Sequence, residues 1–496
     1  MSEATLTIDP AFTVGDVDPR LFGSFVEHLG RCVYTGIYEP DHPAAGADGF
    51  RRDVLALVRE LGVTTVRYPG GNFVSGHRWE DGVGPERRAR LDPAWRSIEP
   101  NTFGLGEFMA WTRAAGVAPM MAVNLGTRGL REALDLLEYA NHPSGTALSD
   151  LRRAHGAAEP YDIRLWCLGN EMDGPWQLGE RTAEEYGRLA VRTARAMRMI
   201  DPDLELVACG SSGAAMPTFG AWEATVLSHA YEEVDHLSLH AYYEPLDGDV
   251  ASFLASGALM ESQIEDAAAT CDHVRALTRS KKRVNLSFDE WNVWYMTRSR
   301  AAAQEPWRHA PRLLEDHYDV TDAVVVGSLL IALLRHADRV RMACQAQLVN
   351  VIAPIRTEPG GPAWRQTTFH PFAQASRHGR GRVLRVEPRS PVYECAAGEV
   401  PLLHATAVQG RDGTVTLFAV NRSRDEPLDL AAGVRALGDA RVLEHTVLAD
   451  ADPAARNTAA DPARVRPRPA HGAAVDAGTL RATLPPVSWN VIRLGR

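Results

Sequence analysis

Ile163-Arg164-Leu165-Trp166-Cys167-Leu168-Gly169-Asn170-Glu171 is a short apolar run that stops in a glycine, an amide and a carboxylate. The pattern returns at Val284-Asn285-Leu286-Ser287-Phe288, which stops in Asp289-Glu290-Trp291-Asn292. Runs of this length, apolar on both faces, read as strands covered on both sides, as in a parallel sheet. Working outward, the same texture marks Leu21 to Glu27, Val63 to Tyr68, Ala118 to Leu125, Leu204 to Cys209, Val234 to His240 and Val340 to Leu348. Helical patterns lie between them. Val54, Leu57, Val58 and Leu61 share one helix face, and Phe108 to Ala115, Leu130 to Leu137, Ala183 to Met199, Glu261 to Leu277 and Val320 to His336 follow suit.

Parallel strands need crossovers of this length, and eight such units predict a (β/α)8 TIM barrel. The rival is a doubly wound open sheet, which binds nucleotides through an early glycine-rich turn. Its nearest candidate, Gly104-Leu105-Gly106-Glu107-Phe108-Met109, lacks the third glycine and follows no clear strand. After about residue 375 the texture changes. Leu402 to Val408, Thr414 to Val420, Arg441 to Val447 and Val487 to Leu494 read as strands between polar turns, an all-β sandwich of jelly-roll-like kind. Ala451 to Ala474, rich in Ala, Pro, Arg and Asp, reads as a loop, and Ala4 to Phe12 as a strand joining the β unit. The expected division is 1–18 with the sandwich, 19–370 as the barrel and 371–496 as the sandwich itself. Length alone suggests about three domains.

Composition narrows the chemistry. The 496 residues are 45% hydrophobic and 23% charged, ordinary for a globular chain, and the formal net charge is −10. That acidity argues against a nucleic-acid partner. Lys281 and Lys282 are the only lysines, so there is no P-loop, and both precede a strand rather than follow it. Barrel active sites lie where strands exit, which makes Schiff-base chemistry a poor reading. Cys32, Cys167, Cys209, Cys271, Cys344 and Cys395 form no C-x-x-C pair, as expected of free thiols in a reducing cytoplasm. No signal-like core opens the sequence and no apolar run reaches the ~18 residues of a membrane span, so a cytoplasmic location and no membrane span are expected.

The residues at the strand exits converge on one pocket in a barrel. They are Glu27 and His28, Arg67 and Asn72, Asn124, Asn170 and Glu171, His240 with Tyr242 and Tyr243, Asp289 to Asn292, and Gln345 with Gln347. They contain no H-e-x-x-h-type metal motif, and no metal or organic cofactor is expected. Carboxylates, amides and indoles suit a sugar. Glu171 and Glu290 lie at the fourth and seventh exits, across the mouth from each other, as a pair of glycosidase carboxylates would.

The chain resembles the α-L-arabinofuranosidases of glycoside hydrolase family 51, retaining barrel enzymes of clan A. The resemblance is carried by Phe25-Val26-Glu27-His28-Leu29-Gly30-Arg31, Arg67-Tyr68-Pro69-Gly70-Gly71-Asn72-Phe73, Trp79-Glu80-Asp81-Gly82-Val83-Gly84-Pro85 and Asn101-Thr102-Phe103-Gly104. Gly169-Asn170-Glu171-Met172-Asp173-Gly174-Pro175-Trp176, Ser238-Leu239-His240-Ala241-Tyr242-Tyr243 and Asp289-Glu290-Trp291-Asn292-Val293-Trp294-Tyr295 complete it, in family order over about residues 20–350. The β unit matches more weakly. Glu180 stands where the family pattern has a histidine. The resemblance implies that Glu290 is the nucleophile and Glu171 the acid/base of a double displacement that releases terminal arabinofuranosyl units from oligo- or polysaccharides. Arg67 would hold Glu290 charged or serve as a structural ion pair. Asn170 would bond the hydroxyl beside the anomeric carbon, and Glu27, Asn72, Tyr242 and Gln347 the remaining hydroxyls or the nucleophile. Trp294 and Trp95 would wall the subsite or pack as core, and His240 would stand behind Glu171 or simply be a satisfied buried histidine. A homohexamer in the cytoplasm is also implied. The alternatives are another clan A glycosidase, such as a β-xylosidase or endoglucanase, or a carbohydrate-binding protein without catalysis.

Overall fold

The computed structural model describes residues 2–301 and 305–496. Eight parallel strands close into a barrel: β1 (Gly23–Phe25), β2 (Thr65–Tyr68), β3 (Ala118–Ala122), β4 (Leu165–Leu168), β5 (Glu205–Ala208), β6 (His236–Tyr243), β7 (Asn285–Val293) and β8 (Val340–Gln345). β8 closes the ring on β1, with Cys344 opposite Gly23 and Gln345 opposite Ser24. β4 is buried at every position, which explains why its sequence shows no polar alternation. β6 and β7 run further than their apolar runs suggest. Ladder pairing continues through His240 opposite Glu290 and Tyr242 opposite Asn292, so polar residues are carried inside strands up to the mouth.

The connecting helices are Arg52–Leu61, Leu105–Ala115, Leu130–Asn141, Ala183–Ile200, Ser256–Thr278 and Val320–Arg335, with Ala147–Ala154 and Ala221–Ala230 among others. Val320–Arg335 is buried along nearly its whole length because it lies between the barrel and the C-terminal sheets. Its approach is close: a Cβ on Gly327 would stand 2.5 Å from the Trp489 ring.

The C-terminal part is a two-sheet sandwich. Leu403–Gln409, Val415–Asn421, Ser488–Gly495 and Arg441–Leu448 are adjacent strands of a seven-stranded sheet. Leu428–Gly433, Thr479–Leu484 and Ala474–Asp476 belong to a four-stranded one. Ala4, Leu6, Leu430 and Leu480 of the smaller sheet share one apolar core with Ala405, Leu417 and Ile492 of the larger. The N-terminal segment forms two strands instead of one. Ser2–Thr7 pairs in parallel with Leu428–Gly433, and Thr13–Asp16 pairs with Arg382–Leu384. The loop expected over 451–474 is irregular except for Arg468–Pro469 and the start of Ala474–Asp476. Among the described residues no helix is long and apolar enough to cross a membrane. The lysine reading is consistent with the geometry: Lys282 Nζ sits 2.9 Å from Asp235 just before β6, at the opposite end from the mouth.

Candidate active site

A cavity of about 360 Å³ opens at the C-terminal ends of the strands. Glu27, Asn72, Trp95, Glu171, Tyr242, Glu290, Trp294 and Gln347 line it, together with Leu29, Gly71, Trp176, Ser212, Met296, Leu314 and Ile352. Arg67, Asn170 and His240 are buried directly behind these residues.

Glu290 is clamped from both sides. Arg67 Nη1 donates to Oε1 at 2.6 Å, and the Tyr242 hydroxyl donates to Oε2 at 2.7 Å. Arg67 Nη2 donates to Asn170 Oδ1 at 2.6 Å, so one guanidinium sets two groups at once. Its face lies 4.8 Å from the Phe25 ring, which closes it off from water. The polypeptide passes this point on glycine: a Cβ on Gly71 would lie 3.1 Å from Glu290 Oε1, and one on Gly70 would lie 2.6 Å from Glu27 Cγ. This is why Pro69 is followed by two residues without side chains.

Glu171 leaves β4 with φ 42°, in the left-handed region, after Gly169 at φ 98°. This turn directs its carboxyl inward. His240 Nδ1 lies 2.9 Å from Oε1, and Trp176 Nε1 donates to Oε2 at 2.7 Å. Burial pushes the Glu171 carboxyl above its ordinary range; the His240 and Trp176 hydrogen bonds oppose this, and the Glu290 charge adds to it. Carboxylate oxygens of Glu171 and Glu290 and a ring nitrogen of His240 all lie within 4.8 Å of one another.

Glu27 faces the same space and accepts from Phe73 N–H, Trp95 Nε1 and Gln347 Nε2, each at 2.9 Å. Burial pushes its carboxyl up to about 8 in spite of the Phe73 and Trp95 donors, with the Glu290 charge adding to the rise. Trp294 stands edge-on to Tyr242, ring centroids 5.0 Å apart, and its indole N–H donates to Ser299. Among the buried polar atoms of the described residues that have no hydrogen-bond partner are the Asn170 amide nitrogen and the Gln347 side-chain oxygen, both beside the cavity. Unmet groups of this kind are costly unless something completes them.

Two groups were assigned no individual role from sequence. Asp289 sits in β7 and bonds His240 Nε2 at 3.1 Å. Trp176 reaches Glu171 from five residues downstream and is half exposed at the rim. Asp289 is adjacent to Glu290 in the chain, a signal that proximity alone could have raised. Asn124, by contrast, faces away from the cavity and caps the turn at Gly126 and Thr127.

Two carboxylates at this spacing, one driven toward its protonated form, do the chemistry of glycosidic bond cleavage, and the class so defined is glycoside hydrolase. Comparison with known proteins sharpens the class. Residues 57–248 match the family model described as alpha-L-arabinofuranosidase 1 domain, and residues 289–488 match the alpha-L-arabinofuranosidase C-terminal domain. The chain is 67% identical to the intracellular exo-α-(1→5)-L-arabinofuranosidase of Streptomyces lividans, over 99% of this chain and 75% of that one. It is 54% identical to an exo-α-(1→6)-L-arabinofuranosidase of Bifidobacterium longum, over 100% of this chain and 98% of that one. A solved family 51 α-L-arabinofuranosidase from Bifidobacterium longum superposes with a TM-score of 0.95 at 49% identity, covering 100% of both chains. The chain belongs to glycoside hydrolase family 51, the α-L-arabinofuranosidases.

Proposed function

We propose that the chain is an exo-acting, retaining α-L-arabinofuranosidase that removes terminal non-reducing arabinofuranosyl units from oligo- or polysaccharides. The observation that carries the retaining mechanism is the approach of the Glu171 and Glu290 oxygens to within 4.8 Å. Retaining enzymes need carboxyl groups about 5–5.5 Å apart, whereas inverting enzymes leave about 6.5–9.5 Å for a water. Glu290 is the nucleophile, aimed by the Arg67 and Tyr242 hydrogen bonds. Glu171 is the acid and then the base, its raised pKa suiting it to carry the proton. The unmet Asn170 nitrogen donates to the hydroxyl beside the anomeric carbon. Glu27 and Gln347 take hydroxyls further round the ring with Asn72, while Trp95 and Trp294 form the walls. His240 stands behind Glu171 without touching the sugar.

The close relatives are named for α-(1→5) and α-(1→6) linkages, which favours arabinan-like or arabinogalactan-like side chains over a β-xyloside. That the Streptomyces enzyme is named as intracellular also supports a cytoplasmic location. We assign 19–370 to the barrel and both ends of the chain to the sandwich, and the family resemblance favours a homohexamer, which light scattering tests. The deciding experiment follows product configuration by NMR with a chromogenic arabinofuranoside, beside the matching xyloside and glucoside. Release of the retained anomer, fastest from the arabinofuranoside, is expected. First release of the inverted anomer would refute the mechanism, and faster turnover of the xyloside would refute the substrate.

A further inference from the structure

The polar groups behind the cavity form one unbroken chain. His240 has both ring nitrogens engaged, Nδ1 at 2.9 Å from Glu171 Oε1 and Nε2 at 3.1 Å from Asp289 Oδ1. The other Asp289 oxygen lies 3.7 Å from Arg67 Nε and 3.9 Å from the Cys167 thiol. Asp289 is 1% exposed and is absent from the cavity lining, so no substrate reaches it. An imidazole between two carboxyls satisfies both only if each nitrogen carries hydrogen or one carboxyl is protonated. Asp289 presents one oxygen to Nε2 while its other oxygen faces the Arg67 guanidinium, so the geometry places Asp289 as the acceptor on that side. Nε2 therefore keeps its hydrogen, and the proton that remains to be placed lies between His240 Nδ1 and Glu171 Oε1.

We propose that Asp289 is a positioning residue for the hydrolysis, fixing the His240 tautomer so that His240 and Glu171 share one proton. The proposal rests on Glu171 being the acid/base. In the first step Glu290 bonds the anomeric carbon while the bond to the leaving oxygen breaks, and the shared proton passes through Glu171 to that oxygen. In the second step water bonds the same carbon, Glu290 departs with the electron pair, and Glu171 takes one proton from the water. The pair ends with the proton it began with. Asp289 sets how tightly that proton is held, because the pair titrates as a unit.

The charged and titratable groups facing His240 are Glu171 and Asp173 after β4, and Asp289 and Glu290 in β7, with Arg67 of β2 behind the latter two. Tyr242, on its own strand, is engaged with Glu290. Burial disfavours charge on the imidazole, but the Glu290, Asp289 and Glu171 carboxylates outweigh it and lift His240 to about 10.

The test is Asp289→Asn, which keeps the shape and an oxygen for Nε2–H but removes the charge. The kcat/KM of an alkyl arabinofuranoside, whose departure needs the acid, is followed against pH. Its alkaline limb is expected to move to lower pH by about one unit, the effect of losing one neighbouring charge. The loss at pH 8 should be at least ~10-fold greater than for an activated aryl arabinofuranoside, whose leaving group needs no proton, as about 1.4 kcal/mol on one step implies. Equal losses on both substrates with an unmoved limb would overturn the proposal, because a merely structural role lowers everything together. Should the variant fail to fold, nitrogen NMR of His240 in the unaltered protein decides: a protonated Nε2 across neutral pH supports the tautomer, and a bare Nε2 overturns it. The underlying reading is checked separately by Glu171→Ala. Activated turnover rescued by azide, with the alkyl substrate inert, supports it whatever Asp289 does. Undiminished alkyl hydrolysis would overturn that reading and this proposal with it.

Discussion

Tyr242→Phe removes one oxygen and little else. The ring is held edge-on against Trp294, so the phenylalanine keeps its place and only the 2.7 Å hydrogen bond to Glu290 Oε2 disappears. A hydrogen bond to a charged group contributes about 1.5–3 kcal/mol. The two chemical steps do not feel that loss equally. During glycosylation Glu290 gives up its charge to the sugar, so the bond from Tyr242 weakens along the way. During deglycosylation Glu290 leaves and regains its charge, so the bond strengthens toward the transition state. With about half the charge restored at that point, the second step loses roughly 1 kcal/mol, or about 5-fold. The first step, relieved of a ground-state contact, loses less. An aryl arabinofuranoside with a good leaving group should therefore show kcat and KM falling together, and stopped-flow mixing should show a burst of phenolate as the glycosyl-enzyme accumulates. A fall in kcat/KM as large as that in kcat, with no burst, would refute this account of the Tyr242 hydroxyl.

Other consequences are simpler to test. Gly71→Ala places a methyl group 3.1 Å from Glu290 Oε1 and must shift that carboxylate by some tenths of an ångström; kcat should drop by about 10-fold or more with the melting temperature nearly unchanged. Gly327→Ala drives a methyl into the Trp489 ring where the buried helix meets the sandwich, and should cost about 1–3 kcal/mol of stability with the remaining activity per folded molecule intact. For Glu261, burial raises the carboxyl but His404 and Arg335 outweigh it and hold it at about 2. The stability this brings is present above the unfolded carboxylate range near ~4.5 and is lost as pH falls toward 2. Glu261→Gln should thus melt well below the unaltered protein at pH 7, by on the order of 2 kcal/mol, with the gap closing near pH 3; a gap that widens in acid would show the reasoning to be wrong.

The barrel was legible because strands such as Leu165–Leu168 are covered on both faces and read as plain apolar runs. The same rule hid the true length of β7. Asp289, Glu290 and Asn292 break the apolar pattern, yet Glu290 and Asn292 still pair with β6, Asp289 falls at the register shift between them and Ser287, and of the three only Glu290 lines the cavity. Leu428–Gly433 and Thr479–Leu484 are among the sandwich strands that escaped notice: their burial alternates, but over only six residues each, with just two leucines in each to carry the pattern. Glu27, Glu171 and Glu290 could be found because each stands at the end of a clear apolar run. The link from Asp289 to His240 spans 49 residues and depends on which way an imidazole is turned, which no periodicity encodes. The number of N-terminal strands was missed for a related reason: their partners lie at the far end of the chain.

That last pairing bears on how the molecule is made. Ser2 lies opposite Leu428, so the Ser2–Thr7 strand meets its neighbour only after the whole barrel has been synthesised. At about 5–20 residues per second the wait is roughly 20–85 s. Through that interval Ala4, Leu6 and Ile8, all later buried, have no sheet to join. The barrel can assemble meanwhile as an insertion held between two halves of an unfinished sandwich, and Ser488–Gly495, made after both its neighbours, fits into the middle of its sheet between Val415–Asn421 and Arg441–Leu448. Arrival of Ser488–Gly495 is therefore the event that closes the larger sheet, and a nascent chain stalled before it would expose the unpaired edges of Val415–Asn421 and Arg441–Leu448 to its neighbours on the polysome.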